Sequence, residues 1–159
     1  MRTEQVGQVL QLFISVKDTD GQTKTIKQDE ITLNEKGVVN DKFYAKDPLR
    51  SILISSLESY KLAKENNIEM PFGSLGENIL IDFNPYGFDV GDQLKIGDVT
   101  LEITQNFTLC KGLSKVDAKE TKLLKHHRGL FAKTVTIGSL KIADKVYIQS
   151  LRLSRSKWF

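Results

Sequence analysis

The stretch Val90 to Ile103, VGDQLKIGDVTLEI, places alternating apolar and polar residues on both sides of Gly97-Asp98. Period-two alternation interrupted by a two-residue glycine turn is the pattern of a β-hairpin. The device recurs in LFAKTVTIGSLKIADKVYI, where Phe131, Lys133, Val135 and Ile137 alternate with Ala132, Thr134 and Thr136 before a second turn signal at Gly138-Ser139. Val6 to Val16 alternates as well, with Val9, Gln11, Phe13 and Ser15 on one face. Leu10, Leu12, Ile14 and Val16 occupy the other face, which is expected to point inward. Asp18-Thr19-Asp20-Gly21 is a turn from which Thr23 to Ile26 can pair back, and Ile31-Thr32-Leu33 is a further short extended piece. A βαβ rhythm is absent, so a doubly wound parallel sheet is not expected. The pattern points to a mainly β chain with two or three helices, folded as a closed or nearly closed β-barrel.

Two segments break the alternation. Asp47 can cap a helix that starts with Pro48 at its first position, and Ile52, Leu53, Leu57, Tyr60 and Leu62 make an apolar stripe ending near Asn66-Asn67. A second helix is expected from Ser114 to His127, capped by Ser114 with Asp117 three residues on and Gly129 beyond its end. Lys119, Lys122, Lys125 and His126 would make its outer face basic.

The 159 residues are enough for one domain, 1–159, with a substantial core. A net charge of +3 gives little electrostatic pull toward nucleic acid. No run reaches the roughly 18 apolar residues of a membrane helix, and MRTEQVGQVLQLFISV reads as a first strand rather than a signal peptide. The single cysteine excludes an internal disulfide, so the expected compartment is the cytoplasm, with neither nucleic acid nor membrane as partner.

That cysteine, Cys110, lies in ITQNFTLCKGL. A thiol reacts as thiolate, which positive charge or backbone N–H groups must stabilise. Lys111 is adjacent, Gly112 allows close backbone approach, and the expected helix at Ser114 would offer its N-terminus. The plainer reading of Cys110 is a small buried apolar residue. His126 and His127 point to different sides of a helix and make a poor chelating pair, and no C-x-x-C, H-x-x-H, P-loop or G-x-G-x-x-G motif occurs. The tail Arg152 to Phe159 is basic, with Trp158 and Phe159 expected to pack on the barrel.

Three pieces in order, GSLGENI (Gly73 to Ile79), the hairpin Val90 to Gln105 leading to Cys110, and GLFAKTVTIGSLKIADKV (Gly129 to Val146), resemble the MOSC domain. This is the module at the C-terminus of the pyridoxal phosphate-associated molybdenum-cofactor sulfurases, found also as small stand-alone bacterial proteins. KGVVNDKF (Lys36 to Phe43) is similar to the glycine-and-aspartate segment of that family, with Phe43 where a histidine often stands. The family has proline, arginine and proline before its cysteine. Here Asn106, Phe107 and Leu109 occupy those places, and Ala143-Asp144 stands at a glycine-aspartate pair.

The resemblance implies a barrel that binds molybdenum cofactor (molybdopterin) or carries sulfur as a persulfide on Cys110, which would then be the catalytic residue or a molybdenum ligand. Such a pterin bears a phosphate, so its site needs amide hydrogen bonds for the ring and cations for the anion. Gly76, Glu77, Asn78, Gln105, Lys111 and Lys133 are the candidates for cofactor binding, with Arg50 and Arg128 as further cations. The plainer alternatives are a structural turn for Gly76 to Asn78 and solvated surface charge for the cations. A sulfur transferase, or a component of a molybdenum-dependent reductase, would need a sulfur donor such as a cysteine desulfurase and a molybdoenzyme as acceptor. The competing reading is a non-catalytic barrel that binds an anionic small molecule or a protein; a nucleic-acid-binding barrel lacks the interleaved aromatic and basic residues it would need.

Overall fold

The computed structural model describes residues 2–106 and 129–150. Cys110, Lys111, Arg128, the expected second helix and the tail from Arg152 therefore lie outside the described residues.

β1 (Arg2–Lys17) is long enough to serve three neighbours in turn. It pairs with β11 (Lys145–Ser150) near its start, with β6 (Ile79–Ile81) in its middle and with β2 (Thr23–Gln28) toward its end. The sheet continues from β6 to β5 (Ile52–Ser56), β9 (Leu130–Thr136), β8 (Val99–Asn106) and β7 (Gln93–Ile96), and β7 returns to β11. Because β11 also pairs with β1, seven strands close into a barrel, as expected from the sequence. Closure removes the exposed edges that an open sheet would carry. Among the described strands only β5 and β6 run parallel. A second sheet is made by β3 (Glu30–Asn34), β4 (Gly37–Val38) and β10 (Gly138–Lys141).

The barrel interior is filled. Ile52, Ile54, Ile79, Ile81, Leu94, Ile96, Leu101, Ile103, Leu130 and Ala132 share one core with Ile31, Leu33, Val38 and Leu140 of the second sheet. Each fully buried leucine or isoleucine stabilises by roughly 1.5–3 kcal/mol relative to exposure. The barrel is thus a packed solid, and any ligand must bind outside its lumen.

Three expectations are corrected. The helix expected from Asp47 to Asn66 is divided into a 3-10 turn at Pro48–Arg50, the strand β5, and α1 (Leu57–Glu65). Asp47 does cap, accepting from the Leu49 N–H at 2.9 Å, and the end at Asn66 holds. In between, every residue of Ile52–Ser56 is buried, which a two-sided central strand requires and a one-sided helix stripe does not. The face expected to be inward on β1 is broken by a register shift between Val9 and Gln11. Val9 and Leu12 consequently both enter the core, while Leu10 joins the outer cluster with Phe13. Gly138-Ser139 is no hairpin turn: β10 leaves β9 and pairs with β3. The hairpin at Gly97-Asp98 forms as expected, joining β7 to β8.

Candidate functional site

The outer surface of β5, β9 and β8 gathers most of the residues singled out above. Leu53 pairs with Phe131, and Phe131 pairs with Gln105. Residues directly opposite in an antiparallel pair project to the same face, so the three form a row across the strands. Lys133, two residues beyond Phe131, shares that face and lies 3.5 Å from Glu102 in a half-exposed ion pair. A bulge between Ile103 and Gln105 frees Thr104, whose hydroxyl donates to the Leu49 carbonyl and ties the Pro48–Arg50 turn to β8. Arg50 then lies over the Phe131 ring, with its guanidinium carbon 4.7 Å from the ring centre.

Ser55 extends the same face along β5 and leads to the fully buried Glu77. Glu77 Oε2 accepts from Ser55 Oγ at 2.7 Å and from the Tyr60 hydroxyl of α1. Tyr60 in turn accepts from the Gly73 N–H at 3.1 Å. Glu77 Oε1 is buried and has no hydrogen-bond partner among the described residues. Burial pushes the Glu77 carboxyl above its ordinary range, against the opposing pull of its Ser55 and Tyr60 donors. Burial and the neighbouring Glu77 likewise raise the Tyr60 hydroxyl.

Asn78 faces a different set of neighbours. Its Oδ1 accepts from the Leu53 N–H at 3.0 Å, and its Nδ2 donates to the Phe13 carbonyl at 3.3 Å and to Asp41 Oδ1 at 3.1 Å. Asp41 also accepts from the Ser15 N–H at 2.7 Å and the Phe43 N–H at 3.0 Å. GENI and KGVVNDKF are thereby knotted together at β1 and β5. Gly76 precedes them at φ +79 with open space where a Cβ would be, so the backbone angle rather than crowding calls for glycine.

Gln105 and Lys133 thus share one outer face, whereas Glu77 is buried behind Ser55, displaced along β5 away from Lys133, and Asn78 is a bonded node on the Leu53 backbone. Sequence reasoning missed Ser55, met Asp41 only as the aspartate of the KGVVNDKF segment, and read Tyr60 only as part of an apolar stripe. The one available signal was Ser55-Ser56 closing an apolar run, since buried hydroxyls need partners. The segment 107–128, which carries Cys110 and Lys111, departs from Asn106 and returns at Gly129. Asn106 is paired with Leu130, so both attachment points flank this face. A Cβ on Gly129 would lie 2.8 Å from the Ile54 carbonyl oxygen, which requires glycine at the return. Among the described residues, no three His, Cys, Asp or Glu side chains are grouped to hold a metal ion.

The model of the MOSC domain matches residues 42–147. The chain belongs to the MOSC domain family. The barrel of this MOSC protein superposes on the YuaD protein of Bacillus subtilis with a TM-score of 0.76 at 14% identity, covering 95% of this chain and 99% of that one. It is similar to YiiM from Escherichia coli, with a TM-score of 0.65, 18% identity and coverage of 93% and 72%. For YiiM from Geobacillus stearothermophilus the TM-score is 0.60 at 12% identity, with 96% and 78% covered. At such identities the likeness is one of fold. Among curated protein sequences no significant match is found. No helix of the described residues is long and apolar enough to cross a membrane.

Proposed function

We propose that this MOSC protein binds molybdenum cofactor against the outer face of β5, β9 and β8 and uses Cys110 to carry sulfur or to ligate molybdenum. What supports the reading is Gln105 on this face, next to Asn106 at one attachment point of the segment bearing Cys110, with Lys133 farther along β9 on the same face. The donor set fits such a group: Gln105 offers an amide to a pterin edge, and Lys133 and Lys111 offer charge to a phosphate. Behind Ser55, Glu77 keeps Oε1 buried without a hydrogen-bond partner among the described residues. When bound, the cofactor supplies the metal–sulfur chemistry.

As a carrier, the Cys110 thiolate attacks the terminal sulfur of a donor persulfide, such as that of a cysteine desulfurase. One S–S bond forms, the donor S–S bond breaks, and the donor thiolate leaves with its electron pair. A thiolate of the acceptor protein then attacks that outer sulfur: a new S–S bond forms on the acceptor, the S–S bond on Cys110 breaks, and the Cys110 thiolate is released with its electron pair. Within this reading the protein acts in the cytoplasm, where thiols stay reduced.

Metal and pterin analysis of protein from a molybdenum-replete host tests the binding. Near-stoichiometric molybdenum and pterin, diminished in Gln105→Ala, are expected. Protein that carries neither, and takes up neither when offered, contradicts cofactor binding.

A further inference from the structure

We infer that Arg50, held on the ring of Phe131, is a further oxyanion-binding residue of this face and takes a phosphate monoester or a like tetrahedral anion. The inference deepens the reading of this face as the ligand surface and is independent of what Cys110 does.

Arg50 is exposed, yet its backbone is fixed from three sides. The Arg50 N–H donates to the Asp47 carbonyl at 3.0 Å, Thr104 holds the preceding carbonyl of Leu49, and Ser51 Oγ donates to the Ala132 carbonyl at 3.4 Å. The guanidinium lies 4.7 Å over Phe131, a ring that is itself 9% exposed and packed on Leu53. Stacking removes much of the rotamer freedom that an arginine would otherwise lose on binding, and it leaves the N–H edge free to meet oxygens. Among the described residues no carboxylate forms an ion pair with Arg50, whereas Lys133 is engaged by Glu102. Asp47, the nearest acid in sequence, spends its Oδ1 on the Leu49 N–H. A preorganised cation with no counter-ion among the described residues, on the ring that pairs with Gln105, can grip two oxygens of one anion with its planar fork of N–H groups.

Titration of the folded chain with inorganic phosphate, followed by NMR on the Arg50 Nε–H and the Phe131 ring, tests this. Saturable shifts at both groups are expected, and Arg50→Ala should weaken binding by roughly tenfold or more. Arg50→Lys should recover only part, because an ammonium lacks the fork. Phe131→Leu should weaken binding while Lys24→Ala, an exposed cation on β2, leaves it unchanged; phosphate binding by protein that takes up neither molybdenum nor pterin separates this site from the cofactor reading. A small aromatic phosphate monoester binding tighter than inorganic phosphate identifies the anion as the tail of an organic ligand; equal affinity identifies a free oxyanion. Arg50→Gln serves where Arg50→Ala fails to fold. Absence of saturable shifts, an affinity for chloride equal to that for phosphate, or undiminished binding in a folded Arg50 variant overturns the inference.

Discussion

Asn78 and Asp41 meet through an Nδ2 to Oδ1 hydrogen bond of 3.1 Å, and that contact joins the GSLGENI turn to the KGVVNDKF segment. Both residues are buried, and Asn78 uses its remaining capacity on Leu53 and Phe13. Asn78→Ala leaves the Leu53 N–H without its acceptor and Asp41 short of a donor. Unfolding in urea should show a loss of about 2–3 kcal/mol. Asp41→Ala should cost a similar amount, and the double variant should cost clearly less than the sum, because the two act on one network.

Glu77 makes stability depend on pH in an unusual direction for a carboxylate. Its folded-state affinity for a proton exceeds that of the unfolded chain, where the group titrates near the ordinary value of 4.5. The proton is therefore taken up on folding, and the fold gains from it fully below the ordinary carboxyl range. This contribution declines as pH rises from that range toward the raised folded value. Glu77→Gln should flatten this part of the curve while leaving the low-pH stability near that of the parent. Urea midpoints measured from pH 4 upward check the difference, and parallel curves for the two proteins would refute it.

Ala143 occupies the place of a family glycine with φ +75, a conformation that costs an L-residue roughly 1–2 kcal/mol. Its N–H donates to the Val9 carbonyl at 2.9 Å, so the strained turn is held in place by β1. Ala143→Gly relieves the strain and gives back part of the gain as unfolded-chain entropy. A net stabilisation of about 0.5–1 kcal/mol is expected, visible as a higher midpoint of thermal unfolding.

Local chemistry made much of the barrel legible. The hairpin at Gly97-Asp98, the turn at Asp18 to Gly21 and the cap at Asp47 depend on neighbours within a few residues, and all three formed. What failed were features decided at long range. Ile52 to Ser56 follows a helix-like apolar spacing, but its partners Ala132, Phe131 and Ile79 lie far away in sequence and draw it into the sheet. The bulge that puts both Val9 and Leu12 inside is likewise set by β6 and not by β1 alone. At the candidate site, Glu77 and Gln105 could be named from motif order, whereas the Ser55–Glu77–Tyr60 chain required the packing of α1. The stacking of Arg50 on Phe131 required the bulge at Thr104.

In the proposed function Cys110 carries the sulfur chemistry. The rate of alkylation of the native protein, followed against pH and read by mass at Cys110, measures thiolate formation directly. The account predicts reaction in the folded state with a midpoint below the value of about 8.5 for free cysteine. Reaction that begins only when the chain is unfolded would contradict it.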